Sequence, residues 1–200
     1  MRIDKKLNLV VPLSRGEETI YVHSMPIGRE VFEKYYLVMA KTFSSLMAEG
    51  LNISSGPRVA AMMLKSIAEA SPRRGVNGEP SNWLVGDDGV ANGLLNEVRR
   101  LSNVVLATPN GWETLPLAAA LDRNLLDPEE VSEVENQLAF FTVCSLVAPR
   151  EDREGLVTGG AVMYNSLTTL SNSTEYAASL KTSRGIEDSG KKATRSSAVR

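Results

Sequence analysis

One cysteine and one histidine in 200 residues leave this chain short of the side chains that most site chemistry needs. A disulfide framework is excluded within the chain, and a zinc site, which takes about four Cys, His or carboxylate ligands at recognisable spacing, has no candidate set. Cys144 lies inside the apolar run LAFFTVCSLVA, where a buried, inert thiol is the expectation. Charge of one sign is missing too. With 22 basic and 24 acidic side chains the net charge is -2, so nothing draws the protein as a whole to nucleic acid or to an anionic membrane. No apolar run approaches the roughly 18 residues of a membrane span. The expected location is therefore a cytoplasm, and the sequons at Asn52 and Asn172 read as chance matches.

The remaining polar motifs do not assemble into an active site. His23 ends a strand-like run beside Ser24 and reads as an ordinary surface or edge histidine. Asp87-Asp88-Gly89 lacks the further oxygen ligands of a calcium loop. Gly155-Leu156-Val157-Thr158-Gly159-Gly160 lacks the Lys and Ser/Thr of a phosphate loop. Glu129, Glu130, Glu133 and Glu135 crowd the first turns of a helix, where the N-terminal dipole favours them, and read as a solvated face. The expectation is a protein that is not an enzyme, with no cofactor and no metal.

What is present is a helical pattern behind a short β segment. Leu7 to Val11 and Thr19 to Val22 are β-rich runs separated by Ser14-Arg15-Gly16-Glu17, which predicts a hairpin over residues 5–24. Two strands alone are marginal in water, so the hairpin must lean on helices or on a second copy. From Gly28 the period changes, with Phe32, Tyr36, Met39, Phe43 and Leu46 forming one stripe of an amphipathic helix that Gly50 stops. Ser55-Gly56-Pro57 opens a second helix, closed by Pro72. A third carries Leu94, Val98, Leu101 and Val105, and Thr108-Pro109-Asn110-Gly111 is a turn, after which Thr114 caps a short helix. Asp127-Pro128-Glu129-Glu130 is a capping box with proline at the first helical position, and it opens the longest helix, which ends before Pro149. Weaker helical patterns cover 156–170 and 174–180. The fold class expected is mainly α with an N-terminal β-hairpin, one domain over residues 1–180.

Two segments fall outside that pattern. Residues 71–89, SPRRGVNGEPSNWLVGDDG, form a long loop rich in Gly, Pro, Asn and Asp. Within it, Arg73, Arg74 and Trp83 are of the residue types enriched at interface hot spots and are the candidate partner-binding residues. Residues 181–200 form a polar tail whose few apolar side chains, Ile186, Ala193, Ala198 and Val199, bury too little to offset roughly 1–2 kcal/mol of backbone entropy per ordered residue. It reads as flexible.

REVFEKYYLVMAKTFSSLMAEG, GPRVAAMMLKSIA, GLLNEVRRLSNVVLATPNGWETLPLAAAL and DPEEVSEVENQLAFFTVCSL together resemble the tail assembly chaperones of long-tailed, siphovirus-type bacteriophages. The resemblance spans most of the chain. It implies a protein that coats the phage tape-measure protein, keeps that long helix soluble, recruits the major tail (tube) protein, and is absent from the mature virion. Self-association, a host-cytoplasmic location, and no contact with nucleic acid or membrane follow from the same likeness. Many members are also made in a longer form by a programmed frameshift on a purine-rich run, and Gly190-Lys191-Lys192 is where such a slip is expected here. Met39, Met47, Met62, Met63 and Met163 suit the work, since methionine adapts to irregular apolar partners. The rival reading is a structural virion component, such as a tail-completion or head-tail connector protein.

Overall fold

A computed structural model describes residues 7–16, 18–70 and 89–180, and in them seven helices pack with a five-stranded antiparallel sheet. Strands β1 (Asn8–Arg15) and β2 (Glu18–Ser24) form the expected hairpin, with Gly16 at φ +64° in its turn. Helices α1 (Arg29–Ala48) and α2 (Gly56–Ala70) follow, Gly50 taking φ +69° just past the end of α1. Next come α3 (Gly89–Arg100), β3 (Ser102–Thr108), β4 (Gly111–Pro116) and α4 (Leu117–Asp122). The last four elements are α5 (Pro128–Val147), α6 (Arg150–Met163), β5 (Leu167–Thr169) and α7 (Ser173–Ser179). Strand order is β4-β3-β2-β1-β5.

The hairpin is thus the middle of a sheet rather than an appendage, and this corrects the expectation of a β content limited to residues 5–24. The apolar stripe from Leu94 to Val105 splits in two: Leu94 and Val98 stay on α3, whereas Val104 and Val105 pair with Val22 and Tyr21 of β2. Branched side chains and a partner strand with a free edge outweigh a helical spacing that only the first half of the stripe needs. Thr114 caps nothing, because it lies in β4 opposite Val105. Thr108–Gly111 is the turn between β3 and β4, with the Thr108 hydroxyl donating to the Gly111 carbonyl at 3.0 Å. The pattern over 156–170 is likewise two elements, α6 and then β5, which joins the sheet against β1. Over 71–89 only Gly89, the first residue of α3, is described, and Pro72 lies outside the described residues.

The core sits between one face of the sheet and the helices. Alternation along the strands turns Leu9, Val11, Leu13, Val22 and Val104 toward Met39, Leu46, Leu64, Leu94, Leu95 and Leu138. On α1 the buried face is Tyr35, Val38, Met39, Thr42 and Leu46, one position round from the expected stripe, which leaves Tyr36 exposed. The rotation has a cause in α3. A Cβ on Gly93 would stand 2.5 Å from the Tyr35 hydroxyl, so the missing side chain there makes the space the tyrosine fills.

Helix α5 is the central element, and its capping box forms as expected: Asp127 accepts from the Glu130 backbone N–H at 2.9 Å, and Glu130 accepts from that of Asp127 at 2.9 Å. Glu130 also pairs with Arg15, which draws the turn of the β1–β2 hairpin onto the start of α5 and holds the Glu130 carboxyl below its usual range. Arg15 further donates to the Leu125 carbonyl at 2.6 Å.

One turn later, three consecutive polar residues of α5 are buried, and each ties it to a different element. Glu135 accepts from Arg99 of α3 at 2.8 Å, with Lys65 of α2 at 3.8 Å. Asn136 accepts from the backbone N–H of Ala61 in α2 at 3.0 Å, and Gln137 accepts from the Ser166 hydroxyl at 2.6 Å. Successive residues on a helix project about 100° apart, which is why three neighbours reach three partners. Glu135 is therefore not part of the solvated acidic face expected of it. Replacing Asn136 with Ala should cost about 0.5–1.5 kcal/mol, the net worth of a hydrogen bond, because the buried tie from α5 to the Ala61 N–H of α2 is lost. Thermal unfolding followed by circular dichroism checks this.

Candidate partner-binding surface

Where large apolar side chains reach solvent, a partner can bury them. Two groups stand out among the described residues. The first lies within nine residues at the end of α6 and along β5: Val162 is 67% exposed, Met163 60%, Leu170 54% and Leu167 40%. The second is on α1, where Tyr36 and Leu37 are exposed and the Tyr36 ring stands edge-on to Phe32 at 5.5 Å.

The first group is built on a pinned turn. Asn165 adopts φ +55°, Ser166 is buried with its hydroxyl on Gln137, and the Ser166 backbone N–H returns to the Ala161 carbonyl at 2.8 Å. Asparagine is among the few side chains that tolerate the left-handed region, so the residue type suits the turn. Held there, the chain reverses into β5, which lies at an edge of the sheet and pairs with β1 on one side alone among the described strands. Its other side presents backbone N–H and C=O groups in line. Alternation turns Leu167 away from the helical core, opposite Val10. The result is a short edge strand flanked by four solvent-facing apolar side chains, an arrangement suited to a partner that adds a strand or lays an apolar helix face along it.

The other candidates fall elsewhere. Arg73, Arg74 and Trp83, and likewise Gly190, Lys191 and Lys192, lie outside the described residues. Of the methionines, Met39 is buried in the core, Met47 and Met63 are half-buried, and Met62 and Met163 are exposed, so Met62 and Met163 offer the most to a partner. Cys144 is buried in α5, and burial pushes its thiol up to about 12, which keeps it protonated and unreactive. His23 is fully buried rather than at the surface, because β2 is an inner strand of the sheet and α7 covers the face on which its ring lies. No described group of three or more His, Cys, Asp or Glu side chains could hold a metal ion, and no described helix is long and apolar enough to cross a membrane. The chain as a whole has no significant match among known protein families, characterised proteins or solved structures.

The residues of the edge strand escaped the sequence reading because Leu156 to Leu170 carries apolar residues at spacings a helix also accepts. A strand of three residues has no alternation long enough to contradict it.

Proposed function

We propose that this chain is a non-enzymatic tail assembly chaperone of a long-tailed phage, binding the tape-measure protein through apolar surface and helping to bring tail-tube subunits to it. The observation that carries the reading is the group Val162, Met163, Leu167 and Leu170, exposed together beside a sheet edge that no other described strand covers. Each such contact is weak, but copies arrayed along one long partner act together, since the second binding event on a shared scaffold is effectively intramolecular. The resemblance of the helical segments supplies the identity of the partner, and the longer frameshifted form and the departure from the finished particle belong to the same proposal.

A structural virion component, the alternative, would stay in the particle. Mass spectrometry of cells during assembly and of purified particles separates the two. The expected result is abundant peptides from 7–180 in the cells, some from a product that leaves this sequence near Lys192, and none in mature virions. Stoichiometric recovery from virions would replace the chaperone with the structural reading.

A further inference from the structure

Among the described residues, one short segment covers the face of the sheet turned away from the core. Alternation places Asn8 and Val10 of β1, Tyr21 and His23 of β2, Val105 of β3 and Trp112 of β4 on that side. After β5, the chain turns back over this face from one edge, and α7 comes to rest against β3 and β4. Tyr176 and Ala177 close over Val10 and Val105, with Tyr21, Trp112 and Leu180 around them. The Tyr21 ring meets Tyr176 at 5.6 Å and Trp112 at 5.7 Å. Asn172 and Glu175 form a capping box that starts α7, so the sequon at Asn172 has a structural use.

A single carbonyl fastens this strap where it crosses the inner strands. The Ser171 oxygen accepts from Asn8 Nδ2 at 2.8 Å and from His23 Nε2 at 2.8 Å, which fills both of its lone pairs. A carbonyl cannot donate, so the proton of the neutral imidazole sits on Nε2 and Nδ1 carries the lone pair. Nδ1 is buried with no partner. Protonating the ring would leave its new N–H with only the backbone of His23 itself as a neighbour, and would create a buried cation with no counter-charge among the described residues. The neighbours facing the ring supply none: β1 and β3 offer Asn8, Val10, Asn103 and Val105, and α7 offers Tyr176, its ring 6.1 Å away and its hydroxyl pushed up to about 12 by burial. Glu175 is the carboxylate of α7, and it is held by the Asn172 backbone N–H at 3.0 Å.

We infer that residues 170–180 are an acid-releasable strap, latched by the contact of His23 with Ser171, and that protonation of His23 frees α7 and bares Val10, Tyr21, Val105 and Trp112. The sign follows from burial, which lowers the His23 pKa from its ordinary 6.5. A folded-state value below the unfolded one means that the contribution to stability is complete above about pH 6.5 and is lost as pH falls through that value toward the folded one. The strap is fastened at neutral pH and loosens in mild acid.

Hydrogen exchange of the full chain, resolved by peptide and corrected for the intrinsic pH dependence of exchange, tests this. Between about pH 7.5 and about pH 5.5 the protection of 173–179 should fall, by up to about tenfold, while that of α5 is kept. In His23→Gln, whose amide can still donate to Ser171 but does not titrate, that pH dependence should vanish. Protection of α7 that is independent of pH in the wild type, or that falls equally in His23→Gln or together with α5, overturns the inference. If His23→Gln does not fold, the ring is titrated by NMR in the wild-type chain, and a folded-state pKa at or above 6.5 overturns it equally.

Discussion

Replacing Phe140 with Ala should destabilise the protein by about 3–5 kcal/mol, the range for a large aromatic removed from a close-packed core. At roughly 2–4 °C per kcal/mol for a chain of this size, the melting temperature drops by about 6–20 °C. The reason lies in what surrounds the ring. Phe140 of α5 is buried and fits between two glycines: a Cβ on Gly56 at the start of α2 would lie 2.4 Å from its Cε2, and a Cβ on Gly160 of α6 would lie 2.9 Å from its Cε1. Phe140 is the knob and the two glycines are the holes that let α2 and α6 approach α5 closely. A sign reversal follows. In the wild type, Gly160→Ala should destabilise, because its new methyl meets the ring. In the Phe140→Ala background the same change should stabilise by up to about 1 kcal/mol, since the obstacle is gone and alanine is the better helix former. Calorimetry on the four proteins of this cycle checks both statements. If Gly160→Ala has the same sign in both backgrounds, the packing account fails.

The second large effect is on binding. Leu167→Lys with Leu170→Lys should abolish retention of the tape-measure protein, lowering affinity by about 100-fold or more, because lysines along an edge strand both charge the apolar surface and block strand addition. Both leucines are exposed, so the melting temperature should stay within about 2 °C of the parent. A pull-down against a phage tape-measure protein, the partner of the proposed function, beside a melting curve, reads the two quantities separately. Unchanged retention would remove the β5 edge from the proposed mechanism and leave Tyr36, Leu37 and Met62 as the exposed apolar residues to test next.

What could be read ahead of the structure, and what could not, divides by the range of the interaction. Asp127-Pro128-Glu129-Glu130 declares the start of α5 because the capping box closes within four residues, and Gly50 declares the end of α1 because a left-handed residue is a local demand. The hairpin of β1 and β2 was legible for the same reason. Strand β3 was not, since Val104 and Val105 suit a helix stripe as well as a strand until Val22 and Tyr21 are beside them. Strand β5 owes its existence to pairing with β1 at the far end of the chain. Glu135 reads as part of a solvated face, yet it and its neighbours Asn136 and Gln137 are buried, each with a partner that sequence cannot bring near. The apolar edge at Leu167 and Leu170 was hidden likewise, because exposure depends on which neighbours fail to cover a side chain.

The central claim is that many copies of this chain coat one long helical partner. Co-expression with a phage tape-measure protein, the partner of the proposed function, followed by light scattering on the purified complex, measures this directly. The account predicts that the tape-measure protein becomes soluble and elutes with several copies of this chain on each molecule. A monomeric chain that elutes alone, with the tape-measure protein left in the insoluble fraction, would contradict it.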